Sequence, residues 1–579
     1  MKRAFFAIFL AASLAGCGSA DQARQPNVVV VITDDQGYGD VGAHGNSKIR
    51  TPNLDQLHAE SVRFTDFHVD PTCAPTRSAL LTGRYSSRTG VWHTIMGRSI
   101  LHREETTLAD LFRQAGYATA MFGKWHLGDD WPYRPEDRGF DRVVRHGGGG
   151  VGQTPDWWGN DYFDDTYWVD GEPQAFEGYC TDVFFREALD FIERQGDEPL
   201  FVYLATNAPH GPYNVDERYS RPYLDAGVPE PMAQFYGMIE NIDDNMGRLR
   251  AKLDELEIAD DTILVFMTDN GTAAGVGPDG RPLEGAAWGG FNAGMRGRKG
   301  SEYDGGHRVP FFVRWPNGDL GEPRDVEALA AHVDVLPTLA ELAGVEVPAD
   351  LDLDGASLAP LLRGEAWPER TLTVHSQRIE WPEKWRKSAV MTDRWRLVNG
   401  VELYDIAADP AQTREVSSEH PEVAERLRQE YADWWVHISD RFDGYVRLVL
   451  GEREEPSRLT AHDWHPTDDQ QPPWNQNLIQ KDPWTNGVWM VDIARPGRYE
   501  FRLLKYDEPA HEPLGAVEAR VRIGDQQART KVAPEATEAR LELELSAGSR
   551  ELETWLRDAD GRERGAFYVY VRRLTGGST

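Results

Sequence analysis

Three runs of apolar residues constrain the fold of this chain most. Residues 27–32 read NVVVVI, residues 199–204 read PLFVYL, and residues 262–267 read TILVFM. Continuous runs of this kind are typical of strands in a parallel sheet that is covered on both faces. Between them, apolar residues at helical spacing predict helices over 106–116 and 232–256. Because strands alternate with helices, we expect an α/β fold with a large mixed, mostly parallel sheet sandwiched by helices.

Changes of pattern along the chain predict two further units after a large α/β domain over 27–366. From about residue 367, short strand-like segments precede a helical pattern near 421–438. These predict a small α+β subdomain over 367–440. After residue 445, segments that alternate apolar and polar residues are separated by turn residues. This period of two predicts an accessory antiparallel β-sandwich over 445–579.

The N-terminus has the features of an export signal. Lys2 and Arg3 precede an apolar run over 4–14, which is too short to span a bilayer. The sequence Leu-Ala-Gly-Cys that ends at Cys17 resembles the lipobox of bacterial lipoproteins. The resemblance implies a lipoprotein signal peptide over 1–17, a lipid on Cys17, and export to the periplasm or outer membrane with membrane contact only through that anchor. An ordinary secretory signal with an incidental cysteine is the alternative.

The charge balance excludes nucleic acid as an expected partner. The 62 Lys and Arg residues are outnumbered by 95 Asp and Glu residues, which leaves a net charge of −33. A field of this sign repels polyanions, so a small anionic ligand needs a locally cationic pocket. The 19 Trp residues and an aromatic content of 11% exclude a disordered chain.

Acidic residues follow two of the three apolar runs. Asp34 and Asp35 come just after the first run, and Asp269 and Asn270 come just after the third. In open α/β sheets, ligands bind beyond the carboxyl ends of the strands. These four side chains therefore predict a site for one hard cation, Ca²⁺ or Mg²⁺. The alternative is that Asp and Asn begin loops, which is their commonest role.

A cysteine motif supports the functional interpretation. Beyond the N-terminus only Cys73 and Cys180 occur, and 73–77 read CAPTR, followed by LTG at 81–83. This pattern resembles the nucleophile motif of type I sulfatases of the alkaline-phosphatase superfamily, with Thr76 where Ser is commoner. The resemblance implies an alkaline-phosphatase-like fold. It also implies that a formylglycine-generating enzyme oxidises Cys73 to formylglycine, whose hydrate is the nucleophile.

Further motifs extend this resemblance to about residues 27–438. They are GKWHLG at 123–128, PHGP at 209–212, RKG at 298–300 and GGHRVP at 305–310. Each is weak alone, but together they follow the order found in the family. A segment over 402–405, ELYD, also resembles the smaller C-terminal subdomain of these enzymes.

The resemblance implies a role for each site residue. The metal ligands of one Ca²⁺ are expected to be Asp34, Asp35, Cys73, Asp269 and Asn270. The other expected catalytic or substrate-binding residues have cationic or imidazole side chains. Arg77 and Lys124 stabilise the hydrate, Lys124 and Lys299 bind the sulfate, Arg308 and His210 contact the substrate, His210 is the general acid, and His126 is the general base.

The sequence therefore predicts hydrolysis of an O-sulfate ester of a sulfated saccharide derived from a polysaccharide. Alternatives are an arylsulfatase, or a phosphodiesterase or phosphonate hydrolase of the same superfamily. A non-catalytic glycan-binding lipoprotein belongs to a different class. It would be expected to have lost the nucleophile or a metal ligand, and this sequence has both. The sugar, the sulfate position, exo or endo action and the oligomeric state stay open.

Aromatic side chains are candidates for binding sugar rings. Six of them lie in the stretch 156–168, and Trp92 with His93, Arg378, Trp381 and Trp385 are similar candidates. The competing interpretation is that these rings anchor a long insertion to its own domain. The 445–579 domain carries Trp464, Trp474, Trp484 and Trp489. It is either a carbohydrate-binding or substrate-capping module, or an accessory sandwich whose aromatic side chains fill its core.

Overall fold

The computed structural model describes residues 25–277, 279–281, 289–467 and 470–574. The predicted signal peptide and its Cys17 lie outside the described residues. Within those residues, no helix combines the length and the apolar character needed to cross a membrane.

The first part of the chain is organised around a ten-stranded sheet. Its strands and one short additional pair are β1 (Asn27–Thr33), β2 (Val62–Phe64), β3 (Phe67–His68), β4 (Ala118–Gly123), β5 (Arg142–Arg145), β6 (Thr166–Val169), β7 (Glu172–Ala175), β8 (Leu200–Ala205), β9 (Thr262–Thr268), β10 (Phe311–Arg314), β11 (Arg324–Val326) and β12 (Ala330–Ala331). The strand order is β11-β2-β10-β9-β1-β8-β4-β5-β6-β7, and β3 pairs with β12. The five central strands from β9 to β5 are mutually parallel. Strands β10, β6 and β7 pair antiparallel at the flanks.

Helices cover both faces of this sheet. They are α1 (Pro52–Glu60), α2 (Cys73–Thr82), α3 (Leu108–Gln114), α4 (Cys180–Gln195), α5 (Glu217–Asp225), α6 (Glu230–Glu255), α7 (Asp304–His307), α8 (Val335–Ala343) and α9 (Ala359–Leu362). Because side chains alternate along a strand, Val28 and Val30 of β1 pack against one helical layer, and Val29 and Val31 pack against the other. The predicted fold class, a mostly parallel sheet between helices, is confirmed.

The middle of the chain forms a small antiparallel sheet with one helix against it. The elements are β13 (Leu372–His375), β14 (Ser388–Met391), β15 (Trp395–Val398), β16 (Glu402–Asp405) and α10 (Pro421–Ile438). Leu427 and Tyr431 of α10 are fully buried against Val390, Leu397 and Leu403 of the sheet. This packing accounts for the apolar spacing of the helix.

The last part of the chain has two sheets that share one core. The elements are β17 (Leu448–Leu450), β18 (Ser457–Thr460), β19 (His465–Pro466), α11 (Gln476–Gln480), β20 (Gly487–Ile493), β21 (Gly497–Leu504), β22 (Glu518–Ile523), β23 (Gln526–Lys531), β24 (Ala539–Leu545), β25 (Gly548–Arg557), β26 (Glu563–Arg564) and β27 (Tyr568–Arg573). One sheet has the order β17-β20-β25-β22-β23 and the other β18-β27-β21-β24. All pairs are antiparallel except β17 with β20. Trp464 and Trp489 are fully buried between the sheets, so both rings fill the core.

Candidate active site

The acidic residues emerge side by side at one edge of the large sheet. Strands β1 and β9 are parallel neighbours with Thr33 opposite Thr268, so the residues after them leave the sheet together. The backbone N–H of Asp35 donates to Asp269 Oδ1 at 3.1 Å, and Asn270 Nδ2 donates to Asp35 Oδ1 at 3.0 Å. Four oxygen-bearing side chains from distant parts of the sequence therefore form one buried cluster.

This cluster has the properties of a site for a hard cation. Asp34 Oδ1 and Asn270 Oδ1 are buried and have no hydrogen-bond partner among the described residues. One ligand atom each of Asp34, Cys73 and Asp269 lies within 4.8 Å of the others. Burial and the neighbouring charge of Asp34 raise the pKa of Asp269 to about 6. Oxygen donors with unmet coordination fit Ca²⁺ or Mg²⁺.

A second group of metal-type ligands, formed by Asp66, His68 and Asp304, is already neutralised by an arginine side chain. The guanidinium of Arg396 donates to Asp66 Oδ1 at 2.7 Å and to Asp304 Oδ1 at 3.2 Å. The arginine is fully buried, so it neutralises these carboxylates in the way that a metal ion would. This group is therefore a structural ion-pair network.

Cys73 is the first residue of α2 and lies beside the acidic cluster. Only 2% of its surface is exposed, and its sulfur is not in a disulfide. Burial raises the pKa of the thiol, with Asp34 and Asp269 acting in the same direction and the nearby lysines opposing it. An unmodified thiol here is therefore protonated at neutral pH and is a weak nucleophile.

Two buried cations link Cys73 to the strand ends. Arg77, one turn along α2, donates to Asp269 Oδ2 from Nε at 3.2 Å and from Nη2 at 2.8 Å. A third hydrogen bond runs from Arg77 Nη1 to the carbonyl of Lys124 at 3.0 Å. Lys124, directly after β4, places its Nζ 2.7 Å from Asp34 Oδ2. Both cations are thus positioned by carboxylates of the cluster.

Lys299 approaches the cluster from the other side. Its Nζ lies 2.5 Å from Asp35 Oδ1. Although burial alone would raise the pKa of Asp35, the charges of Lys299, His210 and Lys124 hold it well below its usual range. The site therefore combines ionised carboxylates with three cations in a volume largely closed to water.

Two histidines complete the cluster, and their tautomers follow from their partners. His126 Nε2 donates to the carbonyl of Thr94 at 2.9 Å, so its Nδ1 carries the lone pair and has no partner among the described residues. His210 Nδ1 donates to the carbonyl of Gly211 at 2.7 Å, and its Nε2 lies 3.9 Å from Asp35 Oδ2. Burial lowers the pKa of both imidazoles, that of His210 to about 4.

A glycine run over 147–150 packs against both imidazoles. A Cβ on Gly149 would lie 2.2 Å from Cε1 of His126, and one on Gly150 would lie 3.1 Å from Nδ1 of His210. Any larger side chain at position 149 would therefore displace the imidazole. Four consecutive glycines signal a close approach of the backbone to another group, and this run is the one part of the site without a predicted role.

Two family models match this chain. The model described as "Sulfatase" matches residues 26–345, which is more than half of the sequence. This chain belongs to the sulfatase family. A model described as "N-sulphoglucosamine sulphohydrolase, C-terminal" matches residues 298–435. The protein is therefore an enzyme, a hydrolase that acts on sulfuric ester bonds.

Characterised relatives and solved structures agree with this membership. Arylsulfatase A of Homo sapiens is 32% identical over 419 residues, covering 67% of this chain and 78% of the relative. N-acetylgalactosamine-6-sulfatase of Canis lupus familiaris is 31% identical over 391 residues, covering 63% of this chain and 71% of the relative. A crystal structure of Ps i-CgsB in complex with k-i-k-neocarrahexaose has a TM-score of 0.62 at 26% identity, covering 71% of this chain and 93% of that chain.

One predicted substrate-binding residue of the sulfatase has its contacts outside the cluster. Arg308 donates from Nε to the carbonyl of Thr65 at 2.6 Å, and the same nitrogen lies 3.9 Å from Asp66 Oδ1. Its guanidinium also lies over the ring of Tyr38, 5.4 Å from the centroid. The ten other predicted catalytic and metal-binding residues lie together.

Most of the candidate sugar-binding rings of the sulfatase are occupied by protein contacts. Tyr162 and Tyr167 are fully buried, and Trp158 contacts two tyrosines of the C-terminal sandwich. Trp92 is buried with Arg98 over its ring at 4.6 Å, and Trp385 stacks on Tyr431 at 3.7 Å. These contacts favour the anchoring interpretation for the rings concerned. Trp381 keeps 43% of its surface exposed.

Proposed function

We propose that this sulfatase removes an O-sulfate group from a sulfated saccharide, with formylglycine derived from Cys73 as the nucleophile. The observation that carries the proposal is the position of Cys73, buried within ligand distance of Asp34 and Asp269 and close to Lys124 and Lys299. A protonated thiol would serve poorly there, whereas a hydrated aldehyde supplies two hydroxyl groups at the same point.

The cations and the acidic cluster suit the charge of a sulfate ester. Lys124 and Lys299 bind the sulfate oxygens, and Arg77 and Lys124 stabilise the hydrate. Each such donor contributes about 3 kcal/mol in a site that excludes water. A single Ca²⁺ held by Asp34, Asp35, Asp269, Asn270 and residue 73 would supply further positive charge to the developing transition state.

The two histidines divide the proton transfers. One hydroxyl of the hydrate gives its proton to a carboxylate of the cluster and attacks sulfur, and the ester S–O bond breaks. His210, which needs a proton on Nε2 for this role because its Nδ1 proton is held by the carbonyl of Gly211, gives that proton to the departing sugar oxygen. The remaining hydroxyl then loses its proton to His126, whose free Nδ1 can accept it. As that proton leaves, the bond between carbon and the sulfate oxygen breaks, sulfate departs and the aldehyde re-forms. Water then restores the hydrate.

A saccharide substrate is supported by the names of similar proteins. N-acetylgalactosamine-6-sulfatase is a relative, and the Ps i-CgsB crystal structure contains a neocarrahexaose. The cationic pocket on a chain with a net charge of −33 also fits an anionic substrate in particular. We further propose that the chain is exported as a lipoprotein through Cys17 and that a formylglycine-generating enzyme acts on it.

The test combines mass spectrometry with a sulfate-release screen. The peptide that contains residue 73 should show the mass of formylglycine in active protein made with a formylglycine-generating enzyme. The same protein should release sulfate from at least one defined sulfated oligosaccharide, and Cys73→Ala should release none. Activity from protein with only unmodified thiol would contradict the nucleophile. Turnover of aryl sulfates but of no saccharide, or faster turnover of matched phosphate esters, would contradict the substrate. Labelling with a radioactive fatty acid, lost in Cys17→Ala, tests the anchor.

A further inference from the structure

The C-terminal sandwich contacts one side of the active site through the segment between β18 and β19. The carbonyl of His462 accepts a hydrogen bond from the backbone N–H of Met96 at 2.8 Å. Three residues on, His465 Nδ1 lies 2.8 Å from Glu380 Oε1, and the same oxygen pairs with Arg98 at 3.1 Å. The sandwich is therefore joined both to the loop beside His126 and to the small subdomain.

The sandwich also holds the glycine-rich loop on the other side of the site. Thr154 N–H donates to the carbonyl of Trp474 at 3.0 Å, and Gln476 Nε2 donates to the carbonyl of Gln153 at 3.2 Å. Gly159 N–H donates to Gln476 Oε1 at 2.9 Å. The glycine run over 147–150, which packs against His126 and His210, belongs to this loop. The sandwich therefore contacts the loop that packs against both histidines.

His462 is the sandwich residue nearest to the catalytic groups. Its ring centroid lies 6.1 Å from that of His126, and only 2% of its surface is exposed. Its Nδ1 lies 3.0 Å from Asp463 Oδ1, which can only accept, so Nδ1 donates. Its Nε2 is buried and has no hydrogen-bond partner among the described residues. Buried polar atoms are nearly always paired, so this nitrogen calls for a ligand.

A second buried histidine, His93, lies near His462. His93 is fully buried, and its Nδ1 accepts from the N–H groups of Thr94 and Ile95 at 2.7 and 3.2 Å. Its proton is therefore on Nε2, where it can be donated. Burial lowers the pKa of His93 to about 3, and the charges of Arg378 and His462 act in the same direction, so both groups lie close to it.

Arg378 is the exposed cation of this group. Its backbone N–H donates to the carbonyl of Trp92 at 3.2 Å, which holds it beside His93. Its guanidinium makes no hydrogen bond or ion pair within the ranges that the structure describes. An unpaired arginine beside buried imidazoles is unusual on a chain with a net charge of −33. A guanidinium beside an imidazole N–H that is free to donate fits an anionic ligand.

We propose that His462, His93 and Arg378 form a second anion subsite, which binds a further sulfate or carboxylate group of the saccharide whose O-sulfate is cleaved. The inference rests on the proposed function and names the substrate class as a saccharide with at least two anionic groups. The Nε2–H of His93 and the guanidinium of Arg378 would donate to the anion, and Asp463 holds the His462 ring beside them through its contact with Nδ1. The sandwich is thereby part of the substrate-binding cleft.

The test compares substrates that differ by one anionic group. The probes are a disaccharide that carries only the cleaved sulfate, the same disaccharide with a second sulfate, and the same disaccharide with a uronic carboxylate. The variants are His462→Ala, His462→Gln and Arg378→Ala. Controls are His511→Ala, an exposed histidine of the sandwich, and Arg186→Ala, an exposed arginine on α4. Thermal melting is measured for every protein.

The expected result is a loss of selectivity. For the preferred doubly anionic probe, kcat/KM should fall about tenfold in each variant, chiefly through KM. For the singly anionic probe the loss should be at least fivefold smaller, and the controls should match the parent protein. The doubly anionic probe with the greater loss of kcat/KM shows whether the subsite binds a sulfate or a carboxylate. Equal losses on all probes, or none, would overturn the subsite.

Two further outcomes distinguish loss of the subsite from loss of stability and from failure of the proposed function. If His462→Ala lowers the melting temperature, His462→Gln and Arg378→Ala decide the result, because Arg378 is exposed. If the parent protein hydrolyses aryl sulfates but none of the three saccharides, the proposed function itself fails, and the subsite fails with it.

Discussion

Lys124 Nζ lies 2.7 Å from Asp34 Oδ2, and both side chains are completely buried. The pair joins the ends of β4 and β1, which have β8 between them in the sheet. Buried ion pairs seldom add net stability compared with apolar residues, because both charges lose their hydration. The pair lies beside Cys73, and Asp34 Oδ1 has no hydrogen-bond partner among the described residues. This position indicates that the two charges serve the chemistry of the site and not stability.

Replacing Lys124 should therefore affect both stability and activity. Lys124→Ala leaves the Asp34 carboxylate buried without its partner, which should cost about 3 kcal/mol in the free energy of unfolding. Loss of a donor to the sulfate oxygens should lower kcat at least about 100-fold. Urea unfolding and sulfate release measure the two effects. Lys252→Ala removes a surface lysine paired with Glu255 and should leave both stability and kcat close to those of the parent protein. An active Lys124→Ala would contradict the role of this lysine.

Gly149 should tolerate no side chain. In Gly149→Ala the new Cβ would lie 2.2 Å from His126 Cε1, so the imidazole must shift. A shift of about 1 Å in a catalytic group can cost about 100-fold in rate, and we expect a loss of that size in kcat with a native far-ultraviolet spectrum. In the control Gly444→Ala, the nearest atom to the new Cβ is 3.4 Å away, and activity should be retained. Wild-type kcat in Gly149→Ala would show that this contact does not position His126.

A divalent cation should stabilise the protein through the cluster at the strand ends. Dialysis against a chelator should lower the melting temperature, and Ca²⁺ at about 100 times its Kd should restore about 2.7 kcal/mol. Asn270→Ala removes one of the unpaired oxygens and should weaken the Ca²⁺-dependent shift. Asn317→Ala, at an exposed asparagine, should keep it. A melting temperature that changes with neither chelator nor Ca²⁺ would contradict the metal site.

Asp40 should make stability fall as the pH rises. Its carboxyl is fully buried and accepts a hydrogen bond from Gly37 N–H at 2.9 Å, and its Oδ1 has no hydrogen-bond partner in the part of the chain that the structure describes. Burial raises the pKa of Asp40 to about 7, so the folded state keeps a proton that the unfolded chain releases near pH 4. The stability contribution is thus present below about pH 4 and is lost as the pH rises to about 7.

Asp40→Asn isolates this effect, because its amide can keep the bond to Gly37 without ionising. The variant should be more stable than the parent protein at pH 8 by about 2 kcal/mol, and the difference should shrink towards pH 5. Urea unfolding at both pH values gives the comparison, since all other titrating groups are common to the two proteins. A constant difference across this range would exclude titration of Asp40.

Several elements were predictable from local pattern because their signals are contained within one segment. The helix α10 begins at Pro421 and ends at Ile438, as its apolar spacing predicts. The first strand was predicted over 27–32 and extends only one residue further. In contrast, β17 has three residues and pairs parallel with β20. So short a segment has no readable period, and the direction of its pairing depends on residues about 40 positions away in the sequence.

The site also has some features with a local signal in the sequence and others that depend on distant residues. The candidate site residues could be chosen from the sequence because Cys73 and its neighbours form a compact motif, and because Asp34 and Asp269 follow apolar runs that end at one sheet edge. Arg308 stays a predicted substrate contact, but the hydrogen bond from its Nε to the carbonyl of Thr65 had no signal in the sequence. Sequence spacing does not determine where a long flexible side chain points, because competing partners decide it.

By itself, the sequence determined the fold class and the sulfatase family, since each depends on residues adjacent along the chain. Only the tertiary structure decided that the glycine run leaves room for His126 and that His462 of the sandwich lies beside it. The first contact joins residues 23 positions apart, and the second joins residues more than 300 positions apart. Both depend on how loops and domains pack against one another, and no local pattern encodes that packing.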